Sequence, residues 1–299
     1  MSTRASVKFF EESVPRLADI FRIWQGSLFD KQKRYGAFFN TRIAPFLYGQ
    51  LGWSSSDEFT TYDYNFNNGD VNSSHYQWNE MSVSIRYTQD EQYFNLHGRK
   101  VQLRHGYPSI QVKYTQGNSG WLSGDFDFKR VDVSIEYRKR YRLGKSTINF
   151  IGGYITGEVP YGRMITGWGN GPSYWSVPNY FQTMGLYEFV SDRAAGLLFN
   201  HNFGNILYAT RHSKPELLIY QNLAIGGLNA PEQHQNITFA TMEKGYFESG
   251  VGIKNLLRVN YANFMYWGFG IEVFYRYGEY AFDSNGDNFF YKFGMNFSF

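Results

Sequence analysis

The chain has 299 residues and a net charge of +3, from 29 basic and 26 acidic side chains. That balance argues against a nucleic-acid partner, whose binding draws most of its affinity from a basic excess, and the absence of cysteine removes disulfides and thiolate chemistry. Aromatic residues make up 20% of the chain, yet its mean hydropathy is −0.46; no run reaches the length of a transmembrane helix, and the combination calls for a large amphipathic surface such as a membrane barrel offers.

Residues 1–30 read as a separate N-terminal segment. Val14, Leu17, Ile20, Phe21 and Trp24 recur at three- and four-residue steps, which predicts an amphipathic helix packed on the body of the protein or lying on a membrane surface. No continuous apolar core of signal-peptide type precedes it. From residue 31 onward the period becomes two. Met81, Val83, Ile85 and Tyr87 alternate with Ser82, Ser84 and Arg86; Ile110, Val112 and Tyr114 with Gln111 and Lys113; Val131, Val133, Ile135 and Tyr137 with Asp132, Ser134 and Glu136. Each stretch is a strand with one apolar and one charged face. Parity alone fits two arrangements: a soluble sandwich with the charges outside, or a barrel in lipid with the charges lining the lumen.

The spacing of connections favours the barrel. They fall at 139–146, 158–184, 204–214, 227–245, 254–257 and 278–288, short and long in turn, as outer-membrane barrels require of their two ends. The long ones, 158–184, 227–245 and 278–288, share one end. The chain closes on Tyr291, Phe293, Met295, Phe297 and Phe299, all of one parity, an amphipathic final strand. The expected fold is therefore all-β, an antiparallel transmembrane barrel over 31–299 with about ten to twelve strands. Its lipid-facing set includes Val131, Val133, Ile135, Leu197, Phe199, Phe293, Met295 and Phe297.

Catalytic and cofactor chemistry finds no support. The six histidines, at 75, 97, 105, 201, 212 and 234, have no metal-ligand spacing, and no nucleophile or P-loop motif occurs. The stretch GWGNG at 167–171 precedes no helix or P-loop lysine and reads as a loop. DSNGDN at 283–288 has alternate oxygen ligands but misplaces the glycine and glutamate of a calcium loop, so it reads as a turn. No cofactor, metal or catalytic residue is expected. In 187–204, Glu188, Asp192, Ala194, Gly196 and Asn200 share a face, and in 247–253 Glu248, Gly250 and Gly252 do the same. Carboxylates beside very small residues leave room on a lumen face for something to dock.

The segments NFIGGYITGEVPYGRMITGWGN, YWSVPNYFQTMGLYEFVSDRAAGLLFNHNF and YFESGVGIKNLLRV, with the final strand ending in Phe, resemble the C-terminal barrel of a Bacteroidota-type outer-membrane family whose members are often labelled carboxypeptidase-like regulatory-domain proteins. Those barrels are similar in turn to the BamA/TamA superfamily of assembly and secretion barrels. The resemblance covers about residues 75–299, with EFVSDR its most specific piece. It implies a sixteen-stranded barrel in which EFVSDR opens the twelfth strand, so that this chain holds the later strands of a longer protein. The peptidase-sounding label implies no peptidase. The alternating C-terminus looks like the signal through which assembly machinery recognises nascent strands, by strand addition. In the superfamily the loop corresponding to 158–184 enters the lumen and anchors an arginine on carboxylates of the following strands. The usual V-R-G-F/Y motif is absent, but Arg163 is a loop arginine, and Glu188, Asp192 and Glu248 are the carboxylates expected to hold it. The implied protein is a non-enzymatic barrel of the bacterial outer membrane, embedded in its lipid, inserted by the assembly machinery and acting on protein or envelope cargo. A passive or substrate-specific pore and a soluble carbohydrate-binding module are the alternatives.

Overall fold

A computed structural model describes residues 4–12, 30–60, 63–67, 75–96, 99–120, 124–205, 208–210, 212–261 and 265–298. Among them the backbone is strand and loop, with three single-turn 3-10 segments, at Tyr161–Arg163, Pro231–Gln233 and Asn285–Asn288. The strands are β1 (Arg4–Glu12), β2 (Asp30–Ala44), β3 (Leu47–Thr60), β4 (Asn65–Phe66), β5 (His75–Thr88), β6 (Gln92–Leu96), β7 (Arg99–Arg104) and β8 (Ser109–Gly117). They continue with β9 (Phe128–Tyr141), β10 (Gly144–Thr156), β11 (Arg193–Gly204), β12 (Glu216–Gly227), β13 (His234–Gln235), β14 (Tyr246–Tyr261), β15 (Met265–Tyr277) and β16 (Phe289–Ser298). Twelve of them form one antiparallel sheet in the order β1-β2-β3-β5-β8-β9-β10-β11-β12-β14-β15-β16. No ladder joins β1 to β16 among the described residues, and β6–β7 and β4–β13 form separate two-stranded pairs.

The register turns the alternation of each strand into two continuous surfaces. Leu51, Val83, Tyr114, Val131 and Tyr154 stand in one cross-strand row. Ser84, Lys113, Asp132 and Gly153 stand in a row of the opposite parity. The first surface stays exposed: Leu51, Val83, Ile225, Val251, Ile271 and Phe293 are each between 45% and 55% accessible. The second encloses the core, where Ser54, Glu58, Asn149, Asn222, Glu248, Glu272 and Lys292 are buried with Phe181, Phe189 and Tyr246. Apolar outside and polar inside is the inverse of a water-soluble sandwich and the arrangement of a barrel in lipid. Val131, Val133, Ile135, Leu197 and Phe199 lie half-exposed on the outer surface, and Phe293 and Met295 exposed on it. The side chain of Phe297, all of Phe299 and the helix expected over 14–24 fall outside what is described.

The two ends of the sheet differ. Tight turns join β2 to β3 and β9 to β10, whereas 157–192, 228–245 and 278–288 connect strands at the other end. One connection breaks the alternation: 89–108, at the short end, carries the β6–β7 hairpin. The connection expected at 254–257 is a correction. β14 runs through it, with a register shift between Ile253 and Leu257 and Asn255 at φ 56°. The polar Lys254-Asn255 step is a bulge within a long strand. EFVSDR leads into β11: it bridges Ile165 through Ser191 and Ala240 through Phe189, and its arginine, Arg193, opens β11, the eighth strand of the sheet. DSNGDN closes on itself, as a turn does: Asn288 accepts the Phe282 N–H at 2.8 Å and donates to the carbonyls of Phe282 and Ser284.

Candidate functional site

The segment 157–192 leaves β10 and crosses the inner side of the sheet before β11 begins. Its backbone folds on itself through Gly169 and Gly171. Asn170 N–H donates to Phe181 O at 2.7 Å, Gly171 N–H to Met184 O at 2.6 Å, and Phe181 N–H to Trp168 O at 2.9 Å. A Cβ on Gly169 would lie 2.2 Å from Gly185 O and 2.3 Å from Met184 O; the glycines of GWGNG therefore permit this backbone-on-backbone contact.

Inward side chains of the sheet pin this segment along its length. Arg163 donates through Nε to Glu80 Oε1 at 2.8 Å and through Nη1 to Glu58 Oε2 at 2.9 Å, and its guanidinium sits 4.5 Å from the Trp78 ring. Arg130 of β9 donates to the Arg163 carbonyl at 2.8 Å. Lys292 of β16 is 2% exposed and donates to the carbonyls of Asn170, Gly171 and Ser173. Glu272 of β15 accepts from Ser176 Oγ at 2.5 Å and from Tyr220 Oη at 2.7 Å. Glu248 of β14 is fully buried and accepts the N–H groups of Gln182 and Thr183 at 2.9 and 2.8 Å, Thr183 Oγ1 at 2.6 Å and Asn222 Nδ2 at 2.7 Å. Arg276 of β15 grips Glu188 with both terminal nitrogens, at 3.1 and 2.6 Å. Tyr174 O and Ser176 N–H pair with the backbone of Phe293 on the edge of β16, at 2.7 and 2.9 Å.

The expected pairing of Arg163 with Glu188, Asp192 or Glu248 is thus corrected. The arginine reaches carboxylates of β3 and β5, strands before it in the chain. Glu188 is held by Arg276, and Glu248 by neutral donors. Asp192, 6% exposed, accepts the Asn229 N–H at 2.8 Å. The small residues have another use: Gly250 makes room for the Phe274 ring, and Gly196 lies beneath Trp168 and Phe181 of the crossing segment. The partners missed carried the same signal as those proposed. Ser54, Ser56 and Glu58 on β3, and Glu80, Ser82 and Ser84 on β5, are also carboxylates beside small residues on one inward face. Arg276 and Lys292 were visible as lone cations of inward parity in aromatic strands.

Beneath Arg163 the segment leaves a chamber of about 620 Å³, lined by Arg34, Lys113, Thr115, Asp132, Ser134 and Trp168 among others. Above it the long connections close an aromatic cap. His234 lies in this cap, 6% exposed, with Phe66, Phe239 and Tyr64 ring centroids at 5.4, 6.0 and 6.2 Å. Its Nδ1 is 2.8 Å from Tyr64 Oη, which accepts the Tyr161 N–H at 2.9 Å, while Nε2 is buried without a hydrogen-bond partner. Burial lowers the His234 pKa to about 4, against the opposing pull of Glu232. Opening of the cap restores the ordinary value near 6.5. Closure is therefore fully favoured above about pH 6.5 and weakens as pH falls toward 4, on the order of thirtyfold by pH 5. Hydrogen exchange over 228–240, divided by the intrinsic amide exchange rate at each pH, should accelerate accordingly in the wild type and not in His234→Phe; a wild-type protection factor that stays constant with pH would contradict the assignment.

Comparison with known proteins agrees with the barrel architecture. Residues 48–158 match the family described as "Family of unknown function (DUF5686) C-terminal domain". No curated protein sequence matches the chain. Among solved structures, BamA from Haemophilus ducreyi lacking POTRA domains 1–3 is similar with a TM-score of 0.55 at 12% identity, over 90% of this chain and 55% of that one. At that identity the likeness establishes a shared barrel fold, and the chain spans about half of that structure's length.

Proposed function

We propose that this chain is a non-enzymatic barrel of the bacterial outer membrane, of the BamA/TamA-like assembly or translocation type, whose lumen is held shut by its own segment 157–192. The observation that carries this reading is the pinning of that segment by charged residues of six strands: β3, β5, β9, β14, β15 and β16. A passive pore needs an open lumen; a barrel that handles polypeptide needs one that stays closed until engaged. The apolar outer surface supports a lipid environment over that of a soluble carbohydrate-binding module. The Bacteroidota-type origin and the carboxypeptidase-like family label belong to the same proposal, as do recognition of the C-terminal strand by assembly machinery and a protein or envelope cargo.

The chamber under Arg163 favours a second reading, a substrate-specific pore. Planar-bilayer recording separates the two. The purified protein should insert and show no steady conductance. A stable open channel in the wild type would favour the pore.

A further inference from the structure

Ion pairing on the inner surface leaves cations over at the short-turn end. Arg138 and Arg140 of β9 share the inward parity of Asp132 and Ser134, and Lys145 of β10 shares that of Thr147 and Asn149. Arg140 and Lys145 stand directly opposite one another, a like-charge cross-strand pair that costs stability. Glu136 lies 3.3 Å from Arg138, but no carboxylate reaches ion-pair distance of Arg140 or Lys145 among the described residues. Among the described residues, Arg138 Nε is buried without a hydrogen-bond partner. Deeper along the same wall, Lys113 faces Asp132, which Arg130 already holds at 2.8 Å. Lys113 itself makes no ion pair among the described residues, and it lines the chamber.

We propose that this cationic track, from Arg140 and Lys145 at the rim to Lys113 in the chamber, binds an extended acidic polypeptide segment. It rests on the reading of the barrel as one that handles polypeptide. Inward parity argues against lipid headgroups, which would meet outward cations. Eight residue positions of β9 separate the level of Arg140 from that of Asp132 and Lys113, about 26 Å at roughly 3.3 Å per residue. An extended peptide repeats at the same rise, so carboxylates along it meet the rim and chamber cations together. Gln111, Thr115 and Ser134 offer its backbone hydrogen-bond partners in the chamber.

The test uses the full chain in zwitterionic detergent micelles. Because the chain has no cysteine, Leu143→Cys, in the exposed β9–β10 turn beside the rim cations, carries a single environment-sensitive fluorophore. The probes are ten-residue peptides alternating Glu with Ser or Lys with Ser, inorganic phosphate, and micelles doped with phosphatidylglycerol. The acidic peptide should bind saturably, weaken with salt, and lose at least tenfold in affinity in Arg140→Gln/Lys145→Gln and again in Lys113→Gln. The outward-facing Lys139→Gln should bind as the wild type does. The double variant removes a like-charge pair, so it should melt no lower than the wild type. Equal binding of the acidic and basic peptides, unchanged affinity in a folded double variant, or displacement by phosphate or phosphatidylglycerol at equal charge would each overturn the site. Failure of peptide binding in a protein that inserts and stays closed would sink this inference alone. An open wild-type channel would instead count against the barrel reading.

Discussion

Arg163→Ala should both destabilise the protein and open it. The substitution leaves Glu58 and Glu80, whose side chains are 6% and 12% exposed, without their cation. It also removes the guanidinium from Trp78. Breaking a buried pair by deleting one partner costs about 3–5 kcal/mol; the adjacent polar-lined chamber lets the stranded carboxylates be solvated, so about 2 kcal/mol is the expected loss. Conductance is the second readout: with the anchor gone, 157–164 swings away from β3 and β5, and discrete openings should appear in bilayers. Arg163→Lys should rescue partially, because an ammonium keeps the charge but lacks the planar fork that reaches two carboxylates at once. Glu58→Gln/Glu80→Gln in the alanine background should recover stability without closing the channel. An Arg163→Ala protein that melts like the wild type and stays electrically silent would show that the arginine holds nothing.

Val251→Arg should be as damaging for a different reason. Val251 is 49% exposed in the middle of β14, between Ile219 and Val273 on the outer surface. Arginine there puts a charge against the hydrocarbon, at about 2–4 kcal/mol near mid-depth. The inward Ser134→Arg enters a polar chamber and should cost little. Folding titrations into liposomes measure both. Equal tolerance at the two positions would restore the soluble sandwich, because a surface in water does not distinguish them.

How much was legible in the sequence follows from what each pattern encodes. Alternation at 81–87, 110–114 and 131–137 located strands and their faces because the period of a strand is a local property. The alternation of short and long connections assigned the ends of the barrel for the same reason. The twist of Asn255 into the left-handed region was not legible: a polar pair inside a strand reads identically as bulge or turn until the partner strand is known. Nor was the choice of partner for Arg163. Glu58 precedes it by 105 residues and Glu80 by 83, and only closure of the interior brings them to it. Proximity along the chain favoured Glu188, whereas the strand order, with β9 next to β8 and β8 next to β5, brings Arg163 to Glu80 and Glu58. The strand β1 escaped notice because Val7, Phe9 and Glu11 alternate too weakly to stand out from the three- and four-residue apolar spacing that follows over 14–24.

Single-cysteine accessibility in liposome-reconstituted protein tests most directly the claim that this sheet is a barrel wall in lipid around a wet, plugged interior. Cysteines at Val83, Val251 and Ile271 should resist a membrane-impermeant maleimide in the bilayer and react fully in denaturant, while cysteines at Thr115 and Ser134 react in the bilayer from the open end of the chamber. Outward cysteines that label in liposomes as fast as the inward ones, or a protein that remains folded and monodisperse with neither lipid nor detergent, would contradict it.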